Sequence, residues 1–139
     1  MKKQLKAVRE FHDTMGVSEQ CVFPTHHIVM YGVNVIEDVG EQLESRVSDD
    51  PRYLRCHLHA EECAEFMAAC SAGDEELAMD ALTDLLYVVV GTAVMFGWPL
   101  DEMFDEVQKS NMTKQPRTGP RLRDKGQDYV PPDFKQFLK

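Results

Sequence analysis

Residues 59–87, HAEECAEFMAACSAGDEELAMDALTDLLY, form two segments of helical character joined by a short turn of small residues, and both segments carry acids on otherwise apolar faces. When the stretch folds back at residues 71–74, positions whose numbers add up to the same value lie at the same height of an antiparallel helix pair. Two levels of this pair then carry facing acids, Glu65 with Asp80 and Glu61 with Asp84.

The same acids also share helix faces. Positions four apart lie on one side of a helix, so Glu61 stacks over Glu65 and Asp80 over Asp84. Glu62 lies about 100° around the helix from its neighbour. The spacing therefore predicts that four to five carboxylates meet within one helical turn.

A cluster of this kind needs protons or cations. Two unit charges about 5 Å apart repel by roughly 3 kcal/mol at an effective dielectric constant of 20. Protons would raise the pKa values of some carboxylates, whereas oxygen-only ligands select Mg²⁺ or Mn²⁺ over zinc. Magnesium in proteins keeps water and substrate phosphates in its coordination sphere. A phosphorylated small molecule is the partner that this chemistry favours.

The distribution of charge supports that partner. The net charge is −9, but residues 1–10 carry +3 and residues 114–139 carry +4, so the middle of the chain carries −16. An acidic body argues against duplex nucleic acid as the main partner, because such binding depends on phosphate neutralisation by Lys and Arg. A metal-bound, phosphorylated small molecule suits an acidic centre with basic ends.

Two other metal chemistries are weakly supported. Cys56, Cys63 and Cys70 recur every seven residues, together with a separate Cys21, and this spacing does not match a structural zinc site. A di-iron bundle needs Glu-x-x-His motifs on two helices, and the nearest approach is one reversed motif from His59 to Glu62. The cysteines are expected to be thiols, and the histidines to be packing or surface residues.

Periodicity and capping signals predict an all-α fold of four to five helices in a bundle with an irregular C-terminal tail. The chain is expected to be a single domain, 1–139, with its core at about 50–113 and its tail at 114–139. The predicted helices are 2–14, about 29–48, 51 to 70 or 71, 74–96, and one that Asp101 caps, extending to Asn111.

The longest apolar run, residues 85–97, lies in the fourth of these helices. A helix so apolar on all sides is expected to be central or buried in an oligomer that forms through helix packing. The run is too short to span a bilayer, and the N-terminus lacks the apolar core of a signal peptide. The sequence therefore predicts a cytoplasmic protein without a membrane partner.

The motifs resemble those of a known family. Glu61-Glu62-x-x-Glu65, followed by an acidic pair that ends in DALTDLLYVV and by GTAVMFGWPLDEMFDEVQKSNMTK, is similar to the signature of the MazG-like and phosphoribosyl-ATP pyrophosphohydrolase-like all-α nucleoside triphosphate pyrophosphohydrolases. KGQDYVPPDF resembles the tail of small members. The likeness covers about residues 55–134. In the family pattern Glu-x-x-Asp, a Glu would stand at Ala81; here the acid lies one position earlier, so Asp80 is interpreted as a substitute ligand.

The resemblance implies a Mg²⁺-dependent enzyme, with Mn²⁺ as a substitute ion, that hydrolyses an NTP or dNTP to the monophosphate and pyrophosphate through water attack on the α-phosphorus. It also implies a homodimer or homotetramer. The alternative is a non-catalytic acidic helical adaptor of the same fold that binds nucleotide or metal. The implied metal ligands are Glu61, Glu62, Glu65, Asp80 and Asp84, of which Glu61 or Glu62 activates the water, and the implied substrate contacts are Lys109, Asn111, Lys114, Arg121, Arg123 and Lys125.

Overall fold

The computed structural model describes residues 1–17, 22–116 and 123–138, and for 123 and 124 it describes the backbone only. These residues are predominantly helical, which confirms the predicted all-α class. A pair of two-residue strands and a 3₁₀ turn lie in the tail. The elements are α1 (Lys2–Met15), α2 (Val33–Glu44), α3 (Pro51–Ala72), α4 (Glu75–Phe96), α5 (Leu100–Met112), β1 (Gln115–Pro116), β2 (Arg123–Asp124) and a 3₁₀ turn (Lys135–Phe137).

The ends of α3 and α4 follow from local sequence. The Asp50 side chain accepts a hydrogen bond from the backbone N–H of Arg52, and the Asp74 side chain accepts one from the N–H of Leu77 at 3.0 Å. Each carboxylate satisfies a donor that the first turn leaves free. Gly73 ends α3 in the left-handed region, and a Cβ there would lie 2.5 Å from the Thr25 carbonyl group. Only glycine fits this turn.

Two local predictions are wrong. The second helix begins at Val33 rather than about Val29, because Gly32 has φ 99° and interrupts the helical backbone. It also ends earlier than predicted, at Glu44 rather than about residue 48. Asp101 does not cap α5: the capping position is Pro99, without a side-chain cap. Asp101 lies inside the first turn of the helix, and its carboxylate accepts a hydrogen bond from the Gln4 amide of α1 at 2.6 Å.

The described chain divides into two compact units, Met1–Cys21 with Trp98–Lys139, and Val22–Gly97. The second unit contains α2, α3 and α4, and the first contains α1, α5 and the tail. The expectation of a single domain stays a prediction.

Helix α4 buries mainly small side chains, while large apolar ones such as Tyr87 and Val94 are exposed at 80% and 76%. Taken as a whole, Glu75–Phe96 is long and apolar enough to cross a membrane, with a mean hydropathy of 1.6 in a window of which 22% is buried. Length and composition alone are weak evidence, since the core helix of a soluble protein meets the same criterion. The apolar run that is too short to span a bilayer, residues 85–97, covers only the second half of this helix.

Candidate metal and substrate site

The contacts of Arg55 show the register of α3 and α4. Its Nε donates to Thr92 Oγ1 at 3.0 Å, and its Nη2 donates to the Val88 carbonyl oxygen at 2.8 Å. Arg55 therefore lies opposite the turn of α4 between Val88 and Thr92, at the level of Val90. The predicted antiparallel register places it at the same level. Gly91 leaves room for the guanidinium, since a Cβ there would lie 3.2 Å from Nη2.

One of the two predicted pairs of facing acids lines a cleft between the helices. Glu65 and Asp80, together with Ala81, border an opening of about 260 Å³ between α3 and α4. These are the residues whose numbers predicted a shared level. Glu65 and Asp80 thus line the same cleft, and their membership of a carboxylate cluster stays a prediction.

Glu62 lies at the electrostatic centre of the cluster. Its Oε2 is buried and has no hydrogen-bond partner among the described residues. Burial raises the pKa of Glu62 above its ordinary value of 4.5, and the negative charges of Glu65, Asp84, Glu61 and Asp80 raise it further. All four other predicted ligands thus repel one partly buried carboxylate.

This arrangement fits a divalent cation. A buried carboxylate oxygen without a partner is costly, and an oxygen-only set of donors suits Mg²⁺ or Mn²⁺. The side chains do not yet converge: over the described parts of the chain, no three His, Cys, Asp or Glu side chains lie close enough together to hold a metal ion. Glu61, Glu65, Asp80 and Asp84 are exposed, so their carboxylates are free to turn. Their roles as ligands stay predictions.

Ala81 occupies the position where the family pattern has a glutamate. Its side chain is buried, with 4% exposed, whereas the neighbouring Asp80 is exposed. The acid that replaces the usual glutamate therefore lies at the rim of the helix pair, and a methyl group fills the buried position.

A second cleft lies between α2 and α3, with a volume of about 310 Å³. Sequence reasoning missed this cleft, because it treated the histidines as packing or surface residues and assigned nothing to α2. Two spacings in the sequence could have indicated the cleft. Glu37, Glu41 and Glu44 lie four and three residues apart on α2, and His57 lies four residues before Glu61 on α3. The cleft is lined by Glu37, Gly40, Glu41, Glu44, His57, Glu61, Ala64 and Glu65.

The predicted substrate contacts belong to the other unit, and Lys109 there has a structural partner. Its ammonium lies 3.0 Å from Glu106, and Glu106 also accepts a hydrogen bond from the backbone N–H of Asp133 at 3.2 Å. The hydrogen bond from Asp133, followed by that from Lys109, lowers the pKa of Glu106. Lys109 is thus part of the contact that holds the tail against α5.

Lys114 and Lys125 lie together at a different place. Their ammonium groups are 5.9 Å and 4.9 Å from the centre of the Tyr129 ring, within the range of cation–π attraction. Lys114 also donates a hydrogen bond to the Asn111 side chain. Three of the six predicted contacts are therefore neighbours. Arg121 and the side chain of Arg123 lie outside the described residues.

Comparison with known proteins adds a family match. The family model described as phosphoribosyl-ATP pyrophosphohydrolase matches residues 36–111, slightly more than half of the chain. This match runs from α2 to the end of α5 and includes all five predicted metal ligands. No curated protein and no solved structure matches the chain.

Proposed function

The chain belongs to the phosphoribosyl-ATP pyrophosphohydrolase family, and we propose that it is a Mg²⁺-dependent nucleoside triphosphate pyrophosphohydrolase. Family membership supports a pyrophosphohydrolase acting on nucleotides. The proposal adds the substrate class, an NTP or dNTP, and the ion, with Mn²⁺ as a substitute. The products would be the nucleoside monophosphate and pyrophosphate.

The observation that carries the proposal is the environment of Glu62. Burial and, after it, the charges of four further carboxylates raise the pKa of Glu62, and its buried oxygen has no partner among the described residues. A divalent cation would relieve both costs at once, because it supplies a partner to the oxygen and neutralises the mutual repulsion. Glu61, Glu62, Glu65, Asp80 and Asp84 would hold it.

In the proposed hydrolysis, the acidic and the basic side chains have different roles. When bound, Mg²⁺ polarises phosphate oxygens and makes water a stronger nucleophile. Water attacks the α-phosphorus, pyrophosphate leaves, and one carboxylate of the Glu61–Glu62 pair takes up the proton of the attacking water. Lys114, Lys125 and Asn111 would bind phosphate or sugar oxygens, since ammonium and amide groups donate to them.

The proposal includes a homodimer or a homotetramer in the cytoplasm. Support comes from the large apolar side chains that α4 leaves exposed. Monomeric soluble proteins rarely expose apolar patches of this kind, and a second copy of the chain would bury them. Duplex nucleic acid and a lipid bilayer are not partners in this proposal.

A non-catalytic nucleotide- or metal-binding protein of the same fold is the second candidate. The buried methyl group of Ala81, at the position of the usual glutamate, favours it. A site with one acid displaced to the rim would bind a cation with altered geometry. Turnover decides between the two candidates.

The test is hydrolysis of each common NTP and dNTP, and of phosphoribosyl-ATP, by the pure protein with Mg²⁺. We expect a nucleoside monophosphate and pyrophosphate from at least one triphosphate. Asp84→Asn should lower turnover by about 100-fold or more, since losing a metal ligand removes several kcal/mol of charge stabilisation. Helix content by circular dichroism should stay unchanged.

Glu76→Gln is the matched control, because Glu76 is an exposed acid in the first turn of the same helix. It should leave turnover near the wild-type rate. Release of orthophosphate alone, or full activity of Asp84→Asn, would contradict the mechanism. Nucleotide binding without any turnover would favour the non-catalytic candidate.

A further inference from the structure

His57 links α2 to the proposed metal site. Its Nδ1 lies 3.0 Å from the carbonyl oxygen of Gly40 on α2, and its Nε2 lies 3.9 Å from Glu61 Oε2, one turn further along α3. The imidazole is mostly buried, with 17% of the side chain exposed, whereas Glu61 is about half exposed at 48%. The ring is therefore fixed and the carboxylate beside it is free to move.

The Gly40 contact determines which nitrogen is available. A carbonyl oxygen only accepts hydrogen bonds, so Nδ1 is the donor in this pair. In the neutral ring, Nε2 then carries the lone pair, and this atom is the one that lies towards Glu61. Histidines that bind metal ions almost always donate their other ring N–H to a backbone carbonyl or a carboxylate, which fixes the tautomer and the ring orientation. His57 has this arrangement.

Gly40 makes the arrangement possible. It is buried in the middle of α2, where glycine costs a helix about 1 kcal/mol relative to alanine. A Cβ at this position would lie 3.7 Å from the Ala60 Cβ and 4.0 Å from His57 Nδ1. The two helices thus approach closely at this point, and the Gly40 carbonyl lies within reach of the imidazole.

The separation between His57 Nε2 and Glu61 Oε2 also suits two ligands of one ion. With metal–ligand bonds of about 2.1 Å, two ligands lie about 3.0 Å apart at right angles and about 4.2 Å apart on opposite sides. The observed 3.9 Å falls within these limits. Glu41 and Glu65 line the same cleft, but among the described residues no third His, Cys, Asp or Glu side chain lies close enough to the pair to complete a set of three ligands.

We propose that His57 Nε2 and the Glu61 carboxylate together bind a divalent transition-metal ion from the later part of the Irving–Williams order, with Co²⁺ as its probe, at the α2–α3 cleft. The inference rests on the metal-binding half of the proposed function, and it adds a nitrogen ligand to a set that sequence reasoning made entirely of oxygen. Imidazole suits ions later in the Irving–Williams order, whereas Mg²⁺ prefers oxygen. The site therefore discriminates between these ions through His57.

The experiment compares Co²⁺ and Mg²⁺ binding by the full chain. His57→Asn is the test variant, because the asparagine amide reaches the Gly40 carbonyl in the place of Nδ1 but has no counterpart of Nε2. We expect Co²⁺ affinity, from the visible absorption of the bound ion, to fall at least about tenfold. Mg²⁺ affinity, from calorimetric titration, should stay within about twofold, and the melting temperature should stay near that of the wild type.

Spin-echo spectra of bound Mn²⁺ give an independent signature. Nitrogen modulation from the imidazole should be present in the wild type and absent in His57→Asn. His59→Asn is the matched control: His59 lies on the same helix, but its Nδ1 bonds to the carbonyl of Arg55 within that helix at 2.7 Å. It should leave both the nitrogen modulation and the ratio of Co²⁺ to Mg²⁺ affinities unchanged.

Three results would overturn the inference: a wild type that prefers Mg²⁺ to Co²⁺, a His57→Asn variant with unchanged Co²⁺ affinity, or an equal loss for both ions. The last result would assign His57 a purely structural role. If the asparagine variant does not fold, the nitrogen modulation of Mn²⁺ bound to the wild type is the test, and its absence would overturn the inference. Hydrolysis with Mg²⁺ but without His57-dependent Co²⁺ binding would refute this inference alone, whereas His57-dependent Co²⁺ binding without hydrolysis would refute the proposed function alone.

Discussion

Helices α3 and α4 have the same length, 22 residues each, and the same kind of ends, but their sides differ. Each follows an aspartate whose side chain accepts a backbone hydrogen bond, and each ends at a glycine in the left-handed region. Along α3 lie the polar groups Arg55, His57 and Glu62, which find or need partners on neighbouring helices. Helix α4 has large apolar side chains on its exposed side. The ends of these helices thus depend on neighbouring residues in the sequence, whereas the composition of their faces depends on the elements that those faces contact.

The buried side of α4 explains its exposed side. Small residues, Ala78, Ala81 and Ala93, are buried with Val88, so α4 packs closely inside its unit through short side chains. Its larger apolar groups point outwards, where burial would contribute about 25 cal/mol per Å². The outer face of α4 therefore has the composition of an interface, while the face of α3 has that of a binding site.

The largest expected effect comes from placing a charge on the outer face of α4. Val94→Glu should weaken self-association by about 100-fold or more, because a carboxylate buried in an apolar interface costs several kcal/mol. Light scattering coupled to size exclusion would show the loss of the oligomer. Val35→Glu is the matched control, as a similarly exposed valine, 64%, on α2, and it should leave the mass unchanged.

Two results would contradict this account of α4. One is a wild type that is monomeric at micromolar concentration, with Val94→Glu unchanged in mass. The other is a wild-type protein that sediments with lipid vesicles, which would assign the apolar face of α4 to a bilayer. The hydropathy of Glu75–Phe96 permits that second outcome by composition alone.

The sequence predicted those parts of the fold that depend on short-range chemistry. Asp50 before Pro51, Asp74 after Gly73, and the glycine at 97 are capping signals whose effect does not depend on the rest of the chain. The register of α3 and α4 followed from the short turn, and the Arg55 contacts agree with it. Asp101 is not the cap because the helix begins before it, at Leu100, which places Asp101 inside the first turn.

Only the part of the candidate site that lies between α3 and α4 could be predicted from the sequence. Helix positions and one turn were enough to bring Glu65 and Asp80 into one cleft. The contact between Gly40 and His57 joins residues 17 positions apart, across a helix whose packing angle no local pattern encodes. By propensity Gly40 weakens α2, although its carbonyl oxygen is the partner of His57 Nδ1 in the structure.

A second prediction tests the polar side of α3 through Glu62. Glu62→Gln should raise the melting temperature of the metal-free protein at neutral pH, because it removes a partly buried charge that four other carboxylates repel. The same change should lower Mg²⁺ affinity by about tenfold or more. Thermal unfolding and calorimetric titration measure the two effects, which are expected to have opposite signs.

The pH dependence of this effect has a definite sign. The pKa of Glu62 is raised in the folded state, so folding is favoured while Glu62 is protonated and is penalised as pH rises through the folded pKa. The advantage of Glu62→Gln should therefore grow with pH above the ordinary value of 4.5. Glu65→Gln, at an exposed position, should show a smaller gain. A Glu62→Gln protein that is less stable than the wild type at neutral pH would contradict this reading.

The smallest expected effect concerns the feature that α3 and α4 share, the capping aspartate. Hydrogen bonds from the Arg52 side chain and backbone N–H lower the pKa of Asp50 from 3.8 to about 2. Its stabilising contribution is therefore complete above pH 3.8 and is lost as pH falls through about 2. Asp50→Ala should lower the melting temperature modestly at pH 7, and the difference from the wild type should close towards pH 2.

Asp50→Asn keeps the capping acceptor and removes the charge, so its melting temperature at pH 7 should lie between those of the wild type and Asp50→Ala. Equal losses for both variants would mean that the ion pair with Arg52, rather than the cap, stabilises the start of α3, and α3 and α4 would then begin for different reasons.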